Sequence, residues 1–236
     1  MPSARLSIVV LALTMGLAAC SPHAALLASL IPDGTVGTLL GHMKRVGDEN
    51  RQRVVELERT GRWSELARFA ELNLAKDVSN AQWWIIAGYA KSQSGDHHAA
   101  AEAYTQAVRL EPDSALAWNL LAQSHRAAGN AGHAVKILNN ALLAVRDAPV
   151  TAFLLGESYS DLHHYAEAIT AYRQSIALED KFPAAWYGLA RAYARIGRRE
   201  EANAAQAQLL ELDPDLARLF NEDRPPADVA RRPLFQ

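Results

Sequence analysis

The sequence predicts an all-α chain, stacked from successive copies of one helical hairpin. Three observations predict it. A frame of aromatic and small residues returns every 34 residues: Trp84 becomes Trp118 and Trp186, with Ala152 in the intervening copy, and Ala100 returns as Ala134, Ala168 and Ala202. Each copy carries two stripes of helical period separated by a breaker, and strand-like alternation is absent over any long span. The 236 residues are half apolar but only 7% aromatic and rich in alanine, a composition suited to close-packed helices. Self-similarity of this period belongs to a stacked array rather than to one closed globule.

The clearest copy is 81–114. Its first helix is expected over Ala81 to Gln93, where Trp84, Ala87, Gly88 and Lys91 share one face. Gly95-Asp96 breaks it, because glycine accepts the left-handed conformation of a helix exit. A second helix follows from about His97 to Leu110 and ends at Pro112-Asp113. Small residues at Gly88, Ala100 and Ala107 let the two backbones approach, with Trp84 and Tyr104 filling the space left. The Gly88 position recurs as Ala122, Gly156 and Ala190, the Gly95 position as Gly129, His163 and Gly197, and the Tyr104 position as Leu138, Tyr172 and Gln206.

This succession of a large aromatic, a small residue, a mid-unit glycine, an unvarying alanine, an aromatic and a closing proline resembles the tetratricopeptide repeat. Lys91 departs from the family, which carries an aromatic there, whereas His125, Tyr159 and Tyr193 are its equivalents. The resemblance implies a right-handed α-solenoid of five helix–turn–helix units with N- and C-terminal capping helices. It also implies a concave groove lined by the first helix of each unit.

Along the chain, residues 1–19 read as a lipoprotein signal peptide outside the fold. Arg5 gives a positive start, Ile8 to Leu17 an apolar run, and Leu17-Ala18-Ala19 a small-residue cleavage site. The run is too short to span a bilayer. Leu-Ala-Ala followed by Cys20, the single cysteine, looks like a bacterial lipobox, which implies that Cys20 is acylated. An ordinary signal peptide with an incidental cysteine is the alternative. Ser21 after the cysteine implies, by the same resemblance, the periplasm-facing side of the outer membrane. Lipid on Cys20 also explains a chain without disulfides in an oxidising compartment.

Residues 20–46 form the tether. Pro32-Asp33-Gly34 marks a turn, and Val36, Leu39, Leu40, Met43 and Val46 then mark one face of a short amphipathic helix. That stripe either covers the first unit or serves a partner or membrane surface. The five units are 47–80, 81–114, 115–148, 149–182 and 183–216. The first is degenerate, its opening helix dominated by Asp48, Glu49, Arg51, Arg53, Glu56, Glu58 and Arg59, as a water-facing terminal unit should be. Asp213 and Pro214 open a capping helix whose Leu216, Leu219 and Phe220 are expected to cover the last unit. Residues 217–236 comprise the end of that cap and a flexible tail without apolar period.

Wheel geometry places the groove face one residue off the Trp84–Gly88 stripe. It selects Gln82, Ile85 and Tyr89 in the second unit, Asn119, Gln123 and Arg126 in the third, Phe153 and Glu157 in the fourth, and Tyr187, Arg191 and Arg195 in the fifth. Exposed aromatics, amides and opposite charges suit an extended or helical peptide, the alternative being a solvated face with no dedicated ligand. The family's carboxylate clamp requires Lys and Asn at positions held here by Ile85, Tyr89 and Leu120, so that clamp is excluded.

A formal net charge of −2 gives no basic surplus for nucleic acid. His97, His98, His133, His163 and His164 lie near the turns between paired helices. Units stacked at roughly 8–10 Å cannot bring them to one ion, whose bonds to nitrogen are about 2 Å. No metal or cofactor is therefore expected. Without a phosphate loop, a nucleophile elbow or a Ser–His–Asp grouping, the sequence predicts no enzyme. The expected function is a lipid-anchored scaffold binding protein partners or peptides in its groove. Its resemblance to tetratricopeptide lipoproteins implies support for a cell-envelope machine such as a pilus, secretin or export complex. The alternative is an adaptor that recruits or regulates a cell-wall or polysaccharide-processing enzyme.

Overall fold

A computed structural model describes residues 46–223. The signal peptide, Cys20, the amphipathic stripe before Val46 and the tail after residue 223 lie outside the described residues. Within them eleven α-helices and no strand occur. They are α1 (Asp48–Arg59), α2 (Trp63–Leu74), α3 (Ala81–Gln93), α4 (His97–Leu110), α5 (Ala115–Ala127) and α6 (Ala131–Ala144). There follow α7 (Pro149–Asp161), α8 (Tyr165–Leu178), α9 (Pro183–Arg195), α10 (Arg199–Leu212) and α11 (Pro214–Asp223).

Each helix packs on its chain neighbours, and α5 also meets α7, α7 meets α9, and α9 meets α11. Hairpins thus queue along one direction, which is an α-solenoid. Among the described residues no helix is long and apolar enough to cross a membrane.

The helix boundaries have local causes. Asn80 accepts from the Gln82 amide at 3.1 Å, Asp96 from Ala99 at 3.0 Å and Ser114 from Ala117 at 3.3 Å, so three helices start on side-chain caps. Such caps contribute about 1 kcal/mol each. Asp213 does the same for α11, accepting from Leu216 at 2.9 Å. Pro149 and Pro183 open α7 and α9, where the missing N–H costs nothing. The turns inside the hairpins pass through the left-handed region: Gly95 has φ 83°, and His163 takes the same place at φ 61°. A non-glycine residue is uncommon there, and here the His163 ring sits 3.0 Å from the Tyr165 hydroxyl.

Between hairpins, tryptophan fastens the loop. Trp84 Nε1 donates to Val78 O at 2.9 Å, Trp118 to Pro112 O at 2.8 Å and Trp186 to Asp180 O at 2.8 Å. The copy with Ala152 has no such lock, and its loop instead carries Asp147 at φ 51°. The more deeply buried indole is the neighbouring Trp83, packed edge-on to Phe69 at 5.6 Å.

The core runs through the array from Val46 to Phe220, with Leu57, Leu66, Ile86, Tyr104, Leu138, Leu154, Tyr172 and Leu209 fully enclosed. A large apolar side chain so buried contributes roughly 1.5–3 kcal/mol. At the far end Phe220 packs edge-on to Tyr187 at 6.3 Å, and Leu216 joins the core's border. Leu219 does not cover the last unit as expected: it stays exposed on the outer side of α11.

Candidate functional site

The groove face predicted on α3, α5, α7 and α9 is a continuous surface only in part, because most of its side chains are consumed between units. Gln82, Ile85 and Tyr89 on α3 are buried. Tyr89 turns back onto the first hairpin, donating to Glu58 Oε1 at 3.1 Å and lying edge-on to Trp63 at 5.9 Å. Asn119 on α5 is buried and accepts from the Thr151 hydroxyl of α7 at 2.9 Å. Phe153 is enclosed by Tyr172 and Phe182, at ring separations of 5.8 and 5.4 Å. Tyr187 is likewise enclosed.

The expectation of exposed aromatic anchors is therefore corrected. Consecutive units lean on one another, so a side chain pointing away from its own hairpin meets a neighbouring unit, earlier for Tyr89 and later for Asn119. Of the predicted face, Gln123 and Arg191 are half-buried and Arg195 is exposed.

A polar chain runs through the joint between the third and fourth units. The Arg126 side chain is only 7% exposed, with Nε 2.7 Å from Asp161 Oδ2 and Nη2 3.6 Å from Glu157 Oε2. Its Nη1 is buried without a partner. Burial disfavours the charged guanidinium, but the Asp161 hydrogen bond and the two carboxylate charges outweigh it and hold its proton more tightly than usual.

Glu157 is itself buried and accepts from the Tyr172 hydroxyl at 2.5 Å, while Ser160 Oγ lies 3.1 Å from the same hydroxyl. Burial, then the Glu157 charge and hydrogen bond, pushes the Tyr172 phenol well above its ordinary value, so it is a permanent donor at physiological pH. The Tyr172 ring is pinched between two helices. A Cβ at Gly156 or at Gly188 would each fall 2.5 Å from its Cε1.

Beside this ring the joint between the fourth and fifth units opens into a cleft of about 290 Å³. Ser160, Asp161, Tyr172, Gly188, Arg191 and Arg195 line it, with His163 and Tyr165 at the lip. Arg191 lies over the Tyr187 ring at 5.4 Å, a cation–π contact that fixes the guanidinium. Ser160 belongs to the groove face that the sequence places on the fourth unit, whereas Tyr172, Tyr165 and Gly188 were not among the residues selected from the sequence. The available signal was the alternation of Gly88 with Tyr104 and Gly156 with Tyr172, against Ala122 with Leu138, which marks where an aromatic reaches across a hairpin.

The histidines do not converge. His125 and His133 rings are 5.6 Å apart, and His164 stacks on Tyr159 at 6.4 Å. Among the described residues no three His, Cys, Asp or Glu side chains are grouped to hold a metal.

Stacked hairpins with this joint geometry define the class: a helical-repeat solenoid. Within that class, a family model of the tetratricopeptide repeat matches residues 153–217, and one of anaphase-promoting complex, cyclosome, subunit 3 matches residues 93–175. Each covers less than half of the chain, and the first supports the tetratricopeptide repeat over the residues that it matches. Among solved structures, a crystal structure of MamA is 22% identical with a TM-score of 0.61, covering 70% of this chain and 96% of its own. TTC0263, a thermophilic tetratricopeptide protein of Thermus thermophilus, is 22% identical with a TM-score of 0.57, covering 72% and 95%. YrrB, described as a tetratricopeptide protein with an unusual peptide-binding site, is 18% identical with a TM-score of 0.57, covering 72% and 88%. At these identities the likeness shows the fold. No curated protein matches the chain.

Proposed function

We propose that this chain is a non-catalytic scaffold that receives protein or peptide partners along the face of α3, α5, α7 and α9. We further propose that lipid on Cys20 holds it on the periplasm-facing side of the outer membrane, in support of a cell-envelope assembly such as a pilus, secretin or export machine. The observation that carries the binding role is the cleft between the fourth and fifth units, an opening between two first helices whose later wall carries Arg191 and Arg195. Its volume lies just below the roughly 300–1,000 Å³ of small-molecule pockets, which suits a partner's side chain better than a cofactor. The peptide-binding site of YrrB supports the same reading by analogy of fold. The anchor is supported by the apolar run and the Leu17-Ala18-Ala19-Cys20 sequence.

Affinity purification of the full chain from detergent-solubilised envelope tests the role. A discrete pore, pilus or export subunit is expected, and its recovery is expected to fall when the cleft is altered by Arg195→Glu. Recovery of wall-processing enzymes instead moves the role to recruitment of those enzymes. Recovery of no partner refutes the scaffold. Cys20→Ala tests the anchor separately: the protein is expected to leave the membrane fraction, and unchanged membrane association refutes lipidation at Cys20.

A further inference from the structure

The two successive joints of the solenoid carry the same three positions with different chemistry. In the joint between units three and four, Arg126 comes from the earlier first helix and meets Glu157 and Asp161 on the later one. One period further on, Arg126 is replaced by Ser160, Glu157 by Arg191 and Asp161 by Arg195. The pattern of charge is therefore inverted. Two guanidiniums stand on the later helix, and the earlier helix offers a hydroxyl where the preceding joint offers a counter-charge. The cleft lies at this place, lined by Ser160, Arg191 and Arg195 together.

The remaining chemistry of the cleft favours an anion. Among the described residues its only acidic lining residue is Asp161, already hydrogen-bonded to Arg126 at 2.7 Å. Arg195 makes no hydrogen bond or ion pair among the described residues, whereas Arg191 is held over the Tyr187 ring. Tyr165 at the lip has its hydroxyl 3.0 Å from His163 Nδ1. A planar carboxylate is the group that arginine forks accept in pairs. The floor is rigid, since Tyr172 is pinched between Gly156 and Gly188 and tied to Glu157 and Ser160, so little ordering is needed on binding.

We infer that the cleft between units four and five takes a glutamate or aspartate side chain of the bound peptide. Its carboxylate pairs with Arg195, beside the Arg191 guanidinium that is held over the Tyr187 ring. This rests on the reading of the helix face as a peptide site and specifies which peptides it selects.

A random dodecapeptide library displayed on phage, selected against the detergent-purified full chain, tests it. Peptides from wild-type protein are expected to share an acidic residue at one fixed position. Replacing that residue by its amide in a fluorescein-labelled peptide should weaken binding about tenfold, since charge-pair loss of this kind is worth at least that factor. Selection against the Arg195→Glu variant is expected to keep the rest of the motif and to exchange the acidic residue for lysine or arginine. Arg195 is exposed and makes no ion pair among the described residues, so the variant should fold as wild type, which circular dichroism checks. Peptides that share a motif without an acidic position, or whose acidic position is indifferent to Arg195→Glu, overturn the inference while leaving peptide binding intact. Failure to select any peptide refutes the peptide site itself, and the inference with it.

Discussion

Introducing a single methyl group at Gly156 tests the close approach on which the later units depend. A Cβ there would sit 2.5 Å from Cε1, 2.6 Å from Cδ1 and 3.0 Å from Cγ of Tyr172. The ring cannot retreat, because the opposite face is met by Gly188, whose own Cβ would lie 2.5 Å from Cε1 and 2.6 Å from Cζ. Nor can it rotate freely, with its hydroxyl 2.5 Å from Glu157 Oε1. Two effects oppose one another. Alanine favours a helix over glycine by roughly 0.5–1 kcal/mol. Overpacking a filled core costs about 1–3 kcal/mol, and a ring clamped on both faces belongs at the upper end. The clash wins, and Gly156→Ala is expected to destabilise by about 2 kcal/mol, lowering Tm by roughly 4–8 °C for a chain of this size.

Thermal unfolding of the full chain followed by circular dichroism measures it. Gly132→Ala in α6 serves as the internal control: nothing lies within 4 Å of its added Cβ, so propensity acts alone and Tm should rise slightly. Equal or greater stability of Gly156→Ala would show that the ring is not pinned and refute the close-approach account. Combining Gly156→Ala with Tyr172→Leu reproduces the pair that Ala122 and Leu138 form one unit earlier, and should recover part of the loss.

Two further outcomes are expected. Burial first, then His133 and His98, holds the His125 imidazole below its ordinary 6.5, so the unfolded chain binds its proton more readily than the folded one. Stability should therefore fall as pH drops through 6.5 and level off below the folded value. His125→Tyr, which installs the ring found at Tyr159 and Tyr193, should shrink the Tm difference between about pH 7.5 and about pH 5.5. An unchanged difference places the acid sensitivity elsewhere. Trp118→Phe removes the indole hydrogen bond to Pro112 O while keeping the ring, and should cost about 0.5–1 kcal/mol, or roughly 1–4 °C in Tm. A midpoint equal to wild type means that the indole does not fasten the loop.

The solenoid was legible because its determinants are local and recur. The breakers at Gly95 and Pro112 and the pairing of Gly88 with Tyr104 can be read within one unit, and the period carries them to the next. The candidate site was only half legible, because wheel geometry orients a residue relative to its own hairpin and says nothing of what the next hairpin covers. Phe153 meets Tyr172 of its own hairpin and then Phe182 of the following loop, and Tyr187 meets Phe220 of the terminal helix, so both are buried. The polar joints cross units: Arg126 reaches Asp161 at a separation of 35 residues, and Asn119 reaches Thr151 at 32. Both separations lie within two residues of the period. Complementary polar residues about one period apart were therefore the signal for these contacts, and a search for chemistry within single units passes over it.

Because cohesion consumes the middle of each first helix, the proposed selectivity falls to its carboxyl-terminal end. There the units differ most: Ser92 and Gln93, Arg126 and Ala127, Ser160 and Asp161, then Ala194 and Arg195. A buried ion pair stabilises little once its desolvation is counted, but it fixes one register between its partners. The Arg126 joint accordingly acts to hold the third and fourth units in place. In the next joint two arginines line the cleft, and the pinched Tyr172 ring does the positioning. Rigidity there comes from shape, which on the proposed reading leaves Arg195 to act on a ligand. Gly188 belongs to both arrangements, since it admits the ring and lines the cleft. Any side chain at that position would therefore disturb the stacking of the last unit and the space between its arginines together.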